Sequence, residues 1–188
     1  MRRGTLIVIA GPSGVGKGTV IQRLLSRIPD GPALSVSVTT RAPRPGELEG
    51  VHYHFVTDAA FDRMVAEGSL LEWAEIVGHR SGTPRRPVEQ LLTTGRDVIL
   101  EIDVKGAEQV RARVPEALLI FLEPPSLEVL EQRLRGRGTE TEVMIEDRLR
   151  LAARELEETA WFDAVVVNDD ADRAADEVAA IIESSRTT

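Results

Sequence analysis

The stretch GPSGVGKGT, residues 11–19, lies between TLIVIA (5–10) and the run GKGTVIQRLLSRI that ends at residue 28. The first flank is a short β-branched apolar run of the kind a doubly covered parallel strand shows, and the second carries apolar residues at helical spacing. Strand, glycine-rich turn and helix in that order leave few architectures open. Gly11, Gly16 and Lys17 stand in the register G-x-x-x-x-G-K. Successive backbone N–H groups in such a turn form a concave anion site, and the helix behind it adds an amino end worth roughly half a positive charge. A plain glycine turn would need neither the lysine nor the spacing. Pro12, Ser13, Gly14 and Val15 complete the loop, Lys17 reaches toward β- and γ-phosphates, and Gly18 stands where the usual pattern has Ser or Thr. Thr19 supplies a hydroxyl one residue later. The reading that follows is a phosphate loop whose magnesium is held mainly by nucleotide phosphates and water, as that ion's retained waters permit.

The rest of the chain repeats the alternation. DVILEID (97–103), ALLIFLE (117–123) and AVVVN (164–168) read as buried strands, separated by the helical patterns KGAEQVRARV, SLEVLEQRLRGR and TEVMIEDRLRLAARELEETA. Strands alternating with helices imply an α/β fold with a parallel sheet flanked by helices. Residues 36–90 break the rhythm with short strand and helix patterns, which predicts an inserted α+β lobe. GRGTET (136–141) separates two helical patterns as a mobile lid would. At 188 residues, one folding unit with an insertion is expected.

Composition narrows the partners. A net charge of −8 disfavours nonspecific nucleic acid or anionic membrane surfaces, since both draw on a broad basic face. The apolar run near the amino end is short and leads into a glycine loop, not a cleavage site. There is no apolar stretch long enough for a membrane span, and zero cysteines excludes disulfides and thiolate metal sites, as suits a cytoplasmic protein. A polyanion site must therefore be local, and arginines gather at Arg41 and Arg44 and again at Arg133, Arg135, Arg137 and Arg148. His52 and His54 alternate onto one strand face, but no third ligand accompanies them, so no metal site formed by the protein alone is expected.

The motifs GPSGVGKGT, SVSVTTRAPRPGE, GVHYHFV, LLEWAEIVG, ILEIDVKGA, FLEPPS, RLRGRGTET and VVVNDD follow one another in an order and at intervals that resemble the guanylate kinases. The resemblance runs nearly end to end. It implies a P-loop kinase fold with a core of residues 1–36 and about 91–188, a GMP-binding lobe of residues 37–90, and a lid around 133–148. It also implies transfer of the γ-phosphoryl group of ATP to GMP, and to dGMP, with Mg2+ accompanying ATP and the lobes closing around both nucleotides.

By that resemblance Gly11–Thr19, Arg133, Arg137 and Asn168 belong to the ATP site. Ser37, Arg41, Arg44, Tyr53, Glu72, Thr83, Glu101, Asp103 and Arg148 belong to the GMP site, and Lys17, Arg41, Arg44, Arg137 and Arg148 act on the transferred group. The chemistry is consistent: two guanidinium forks suit a phosphate dianion, and a carboxylate such as Glu72 accepts both the N1–H and N2–H₂ donors of guanine. Glu101 is a second acceptor where many relatives carry Asp. Asp103 is read either as orienting magnesium waters or arginines, or as an N-cap for the following helix. Asn168 is either near adenine or a strand-end turn residue. GHRSGT (78–83) departs from the usual Gly-Asn-x-Tyr-Gly, putting Ser81 where a phosphate-contacting tyrosine is expected; weaker GMP binding follows unless Arg80 or a water compensates. Two other readings compete: a noncatalytic phosphopeptide-binding module, which would have no need of Lys17, and a sugar-phosphate kinase, which would have none of Glu72.

Overall fold

In the LIVIA run Leu6 is 4% exposed and the next four residues are fully buried, so both faces of this strand are covered, as its unbroken apolar pattern requires. The computed structural model describes residues 2–28, 31–76, 78–136 and 141–186. Its first half runs β1 (Leu6–Ala10), α1 (Lys17–Arg27), β2 (Ala33–Leu34), β3 (Ser37–Thr39), β4 (Tyr53–Phe55), α2 (Asp58–Ala66), β5 (Leu70–Ile76), β6 (His79–Pro84) and α3 (Arg85–Thr93). The second half runs β7 (Val98–Glu101), α4 (Val104–Arg113), β8 (Leu118–Glu123), α5 (Leu127–Arg135), α6 (Glu142–Glu157), a 3-10 turn (Thr159–Trp161), β9 (Ala164–Val167) and α7 (Ala171–Ser185). The fold is α/β. Its core strands pair in parallel, β2 with β7, β1 with β8 and β8 with β9.

The chain forms two compact units. One comprises Ile7–Gly31, Glu101–Val104 and Leu118–Thr188. Within it β8 lies between β1 and β9, with Val8 opposite Leu119 and Phe121 opposite Val165. Helix α7 packs on α1, β8 and β9, and α5 packs on α6 through Leu130, Leu134, Ile145 and Ala152. The helices announce their starts chemically. Ser126, Thr141 and Asp170 each accept a backbone N–H from the first turn of α5, α6 and α7. Helix α1 has no such cap: Gly16 precedes it in the left-handed region, at φ 102°, and no side chain makes a capping hydrogen bond there.

The other unit comprises Met1–Leu6, Pro32–Leu100 and Lys105–Ala117. It holds a four-stranded mixed sheet of order β4-β3-β6-β5. Val38, Phe61 and Leu70 form a buried cluster under this sheet with Trp73 packed against it, so α2 covers one face; burial on this scale is worth about 2 kcal/mol per large side chain. The register slips between Leu70 and Glu72, a β-bulge that keeps Leu70 with Trp73 on the apolar side while Glu72 goes to the other. No helix among the described residues is long and apolar enough to cross a membrane.

Candidate functional site

Two constellations carry chemistry, one in each unit. In the first, β1 delivers the chain into the glycine loop. Gly11 has φ 146°, and a Cβ there would stand 2.3 Å from the Leu122 carbonyl oxygen of the neighbouring strand, so no side chain fits. Gly16 has φ 102°, and a Cβ there would meet Asn168 Nδ2 at 2.6 Å. The loop is held from behind. Asn168 Nδ2 donates to the Val15 carbonyl at 2.7 Å, and Arg133 Nη1 donates to the same oxygen at 3.0 Å. Arg133 Nη2 also donates to the Asn168 carbonyl at 2.9 Å. Arg148 reaches the loop as well, donating to Ser13 Oγ. Lys17 Nζ folds back onto its own loop, donating to Gly11 O at 2.6 Å and Pro12 O at 3.2 Å.

Glu101 closes this constellation. Its carboxylate oxygens lie 3.5 and 3.6 Å from the point a Gly18 Cβ would occupy. The side chain touches solvent, yet protein crowds its carboxyl closely enough that burial pushes the pKa up, against the pull of Lys17. Asp103 stands directly before α4. Arg137 lies outside the described residues.

The second constellation follows from strand registers. Opposite residues share a face, and the pairs Ser37–Tyr53, Thr39–Ser81 and Glu72–Thr83 put these six side chains on the face turned away from α2. Glu72 is 3% exposed and Thr83 is fully buried, and the Thr83 hydroxyl donates to Glu72 Oε1 at 2.7 Å. Arg80 belongs to the opposite face. It pairs with Asp58 and Asp62 and lies 4.8 Å above the Phe61 ring, so it is not available to substitute for a tyrosine at position 81. The Ser81 hydroxyl itself donates to Val38 O at 3.1 Å.

The loop after β3 carries the arginines. Arg41 is gripped end-on by Glu47, with Nη1–Oε2 at 3.0 Å and Nη2–Oε1 at 2.9 Å, and its Cζ is 5.4 Å from the centre of the Tyr53 ring. Glu47 Oε2 also accepts the Arg44 backbone N–H at 2.7 Å. One carboxylate thus ties down the side chain of one arginine and the backbone of the other. The Arg41 hydrogen bond holds Glu47 well below the ordinary range, at about 2, and Glu47 in turn raises Arg41. The Arg44 side chain is exposed. Glu47 escaped the sequence reading, although its place three residues after Arg44, behind Pro45 and Gly46, is a turn signal followed by a counter-charge.

Comparison with known proteins identifies the family. A family model described as guanylate kinase matches residues 3–185. A guanylate kinase of Parasynechococcus marenigrum (strain WH8102) is 59% identical over 171 residues, covering 91% of this chain and 93% of that one. One from Thermobifida fusca (strain YX) is 54% identical over 182 residues, covering 97% and 92%. The crystal structure of guanylate kinase from Anaplasma phagocytophilum superimposes with a TM-score of 0.82 at 34% identity, covering all of this chain and 88% of that one. With a match along nearly its whole length and identity above half to several relatives, this chain belongs to the guanylate kinase family.

Proposed function

We propose that this chain transfers the γ-phosphoryl group of ATP to GMP, and also to dGMP, giving ADP and the diphosphate. The observation that carries this reading is the buried Glu72 carboxylate, oriented by Thr83 on the polar sheet face that also bears Ser37 and Tyr53. A buried carboxylate needs donors, and the N1–H and N2–H₂ edge of guanine supplies two where adenine has none to match. Arg41, Arg44 and Tyr53 take the acceptor phosphate. A phosphate oxygen attacks the γ-phosphorus, the bond to the β–γ bridging oxygen breaks, and ADP leaves with that electron pair. The attacking oxygen is already anionic, so no general base is needed.

Lys17 leaves its loop carbonyls for the β- and γ-phosphates, while the N–H groups of Gly11–Thr19 hold the donor chain. Asn168 Oδ1 is a buried acceptor without a donor among the described residues, which suits the exocyclic amino group of adenine. Residue 18 offers magnesium no side-chain oxygen, and no cluster of three acidic or histidine ligands occurs among the described residues. The residues therefore fit an ion bound chiefly by phosphates and water, whose waters Glu101, Asp103 and Thr19 would hold. Bound with ATP, Mg2+ supplies neutralisation of phosphate charge. Glu101, set against Gly18, is assigned here to the donor side.

Residues 37–90 form the GMP lobe and residues around 133–148 the lid, set on a core of 1–36 and 91–188; closure of both excludes water from the reaction. Arg137 and Arg148 act from the lid, Arg133 braces the loop beneath the donor, and the reaction takes place in the cytoplasm. The test is ADP release from Mg-ATP with GMP, AMP, CMP, UMP or ribose 1,5-bisphosphate, with Lys17→Ala as control. Turnover with GMP alone, reduced at least about a hundredfold in the variant, is expected. Silence with every acceptor, or turnover on the sugar phosphate, overturns the reading.

A further inference from the structure

Strand β5, which carries Glu72, is an edge strand: β6 pairs with it on one side, and no strand among the described residues lies on the other. An edge strand turns alternate N–H and C=O groups outward, and left to water they let the strand fray. Here helix α4 occupies that edge with side chains in place of a backbone. The Gln109 amide pairs with both peptide groups of Trp73, with Nε2 donating to Trp73 O at 2.7 Å and Oε1 accepting from Trp73 N at 3.3 Å. Four residues along the helix, Arg113 Nη1 donates to Leu71 O and reaches Leu70 O at 3.5 Å. The register slips between Leu70 and Glu72, so this stretch of the edge departs from regular pairing; the Arg113 guanidinium supplies a donor to Leu71 O there, and Arg85 Nη2 shares Leu70 O at 3.4 Å.

The two contacts fall on either side of one residue. Arg113 holds the backbone at position 71, Gln109 holds it at position 73, and Glu72 between them points the other way, to Thr83. We propose that Gln109, supported by Arg113, is a positioning residue for base recognition: it holds the edge strand so that the Glu72 carboxylate keeps the placement needed to read the amino edge of guanine. A primary amide is the side chain for this task, since it alone offers a donor and an acceptor at the spacing of a peptide unit. The inference rests on the assignment of Glu72 to the base.

The test compares Gln109→Leu, which keeps the volume and loses both bonds, with Gln109→Glu, which keeps the acceptor but sets a carboxylate against Trp73 O. Arg111→Ala is the control, because Arg111 is on the same helix but ties it to Pro115 O at 2.9 Å and Ala117 O at 3.1 Å. Steady-state constants are measured with GMP and with inosine monophosphate, which lacks the 2-amino group. Both Gln109 variants are expected to raise the KM for GMP about tenfold, the loss set by one to two displaced hydrogen bonds, with kcat and the KM for ATP within about twofold. Preference for GMP over inosine monophosphate falls by a similar factor, and Arg111→Ala changes neither. If Gln109→Leu does not fold, Gln109→Glu decides. Glu72→Gln separates the two ideas. Discrimination lost there but intact in the foldable Gln109 variants overturns this inference alone, and discrimination intact in Glu72→Gln overturns the base assignment and the inference with it.

Discussion

Replacing Glu47 by Ala tests whether Arg41 and Arg44, proposed to take the acceptor phosphate, are set in place before any phosphate arrives. The carboxylate makes a two-point contact with Arg41 and accepts the Arg44 N–H, and both partners of the ion pair keep only 17% of their side-chain surface exposed. Its pKa falls from 4.5 to about 2. A displacement of that size corresponds to a ceiling of about 3 kcal/mol of folding free energy. Water still reaches the pair and screens it, so about 1–2 kcal/mol is the expected loss near neutral pH. For a chain of this length that is a fall of roughly 3–6 °C in Tm. The sign with pH follows from the depressed value: the contribution is complete above the unfolded pKa of 4.5 and disappears as pH falls through about 2. Urea titrations of wild type and Glu47→Ala should show a stability gap at about pH 7 that shrinks to less than roughly half by about pH 3. The same variant should raise the KM for GMP several-fold and leave that for ATP alone, since both arginines lose their anchor. A gap that is absent at neutral pH, or one that persists undiminished in acid, would refute the reasoning.

Gly16→Ala puts a methyl group 2.6 Å from Asn168 Nδ2 on a backbone at φ 102°. The loop must then shift off its brace, and the expected result is about a hundredfold loss of kcat/KM for ATP with a stability cost of about 1–3 kcal/mol, read by kinetics and urea unfolding; wild-type affinity for ATP would contradict it. Ser81→Tyr places a phenol beside Thr39 on the polar sheet face that also bears Tyr53, where the Ser81 hydroxyl now donates to Val38 O. A KM for GMP lowered by about three- to tenfold is expected, and an unchanged value would show that the serine is compensated elsewhere.

What could be read in the residues, and what could not, divides by distance along the chain. The strands at 6–10, 118–123 and 164–167 announce themselves because a doubly covered parallel strand must be apolar throughout, and the helices between them show their apolar spacing. The two-residue strand β2 gave no such signal; it is only Ala33 and Leu34, aligned on Val98 and Ile99, and its existence depends on that partner. The phosphate loop was legible because its chemistry is written in one continuous stretch. That Gly16 is required by Asn168 was not, since the two are joined only through the fold.

The same limit explains the acceptor face. Arg80 and Ser81 are neighbours in sequence, and a reading of types alone lets either stand in for the missing tyrosine. Alternation along β6 decides the matter, because adjacent strand residues leave on opposite faces, and Arg80 is spent on Asp58, Asp62 and Phe61. Glu72 shows the complementary case. Its chemical type is visible in LLEWAE, but its placement depends on Thr83 and, through the flanking peptides, on Gln109 and Arg113 of a helix more than thirty residues further on. A motif therefore names the group that meets the ligand, while the precision of that meeting is carried by residues whose own types are unremarkable until the strand edge they hold is known. Substitutions at such positions should alter KM and discrimination while leaving every motif residue in place, and they are where relatives with identical motifs have room to differ in substrate preference.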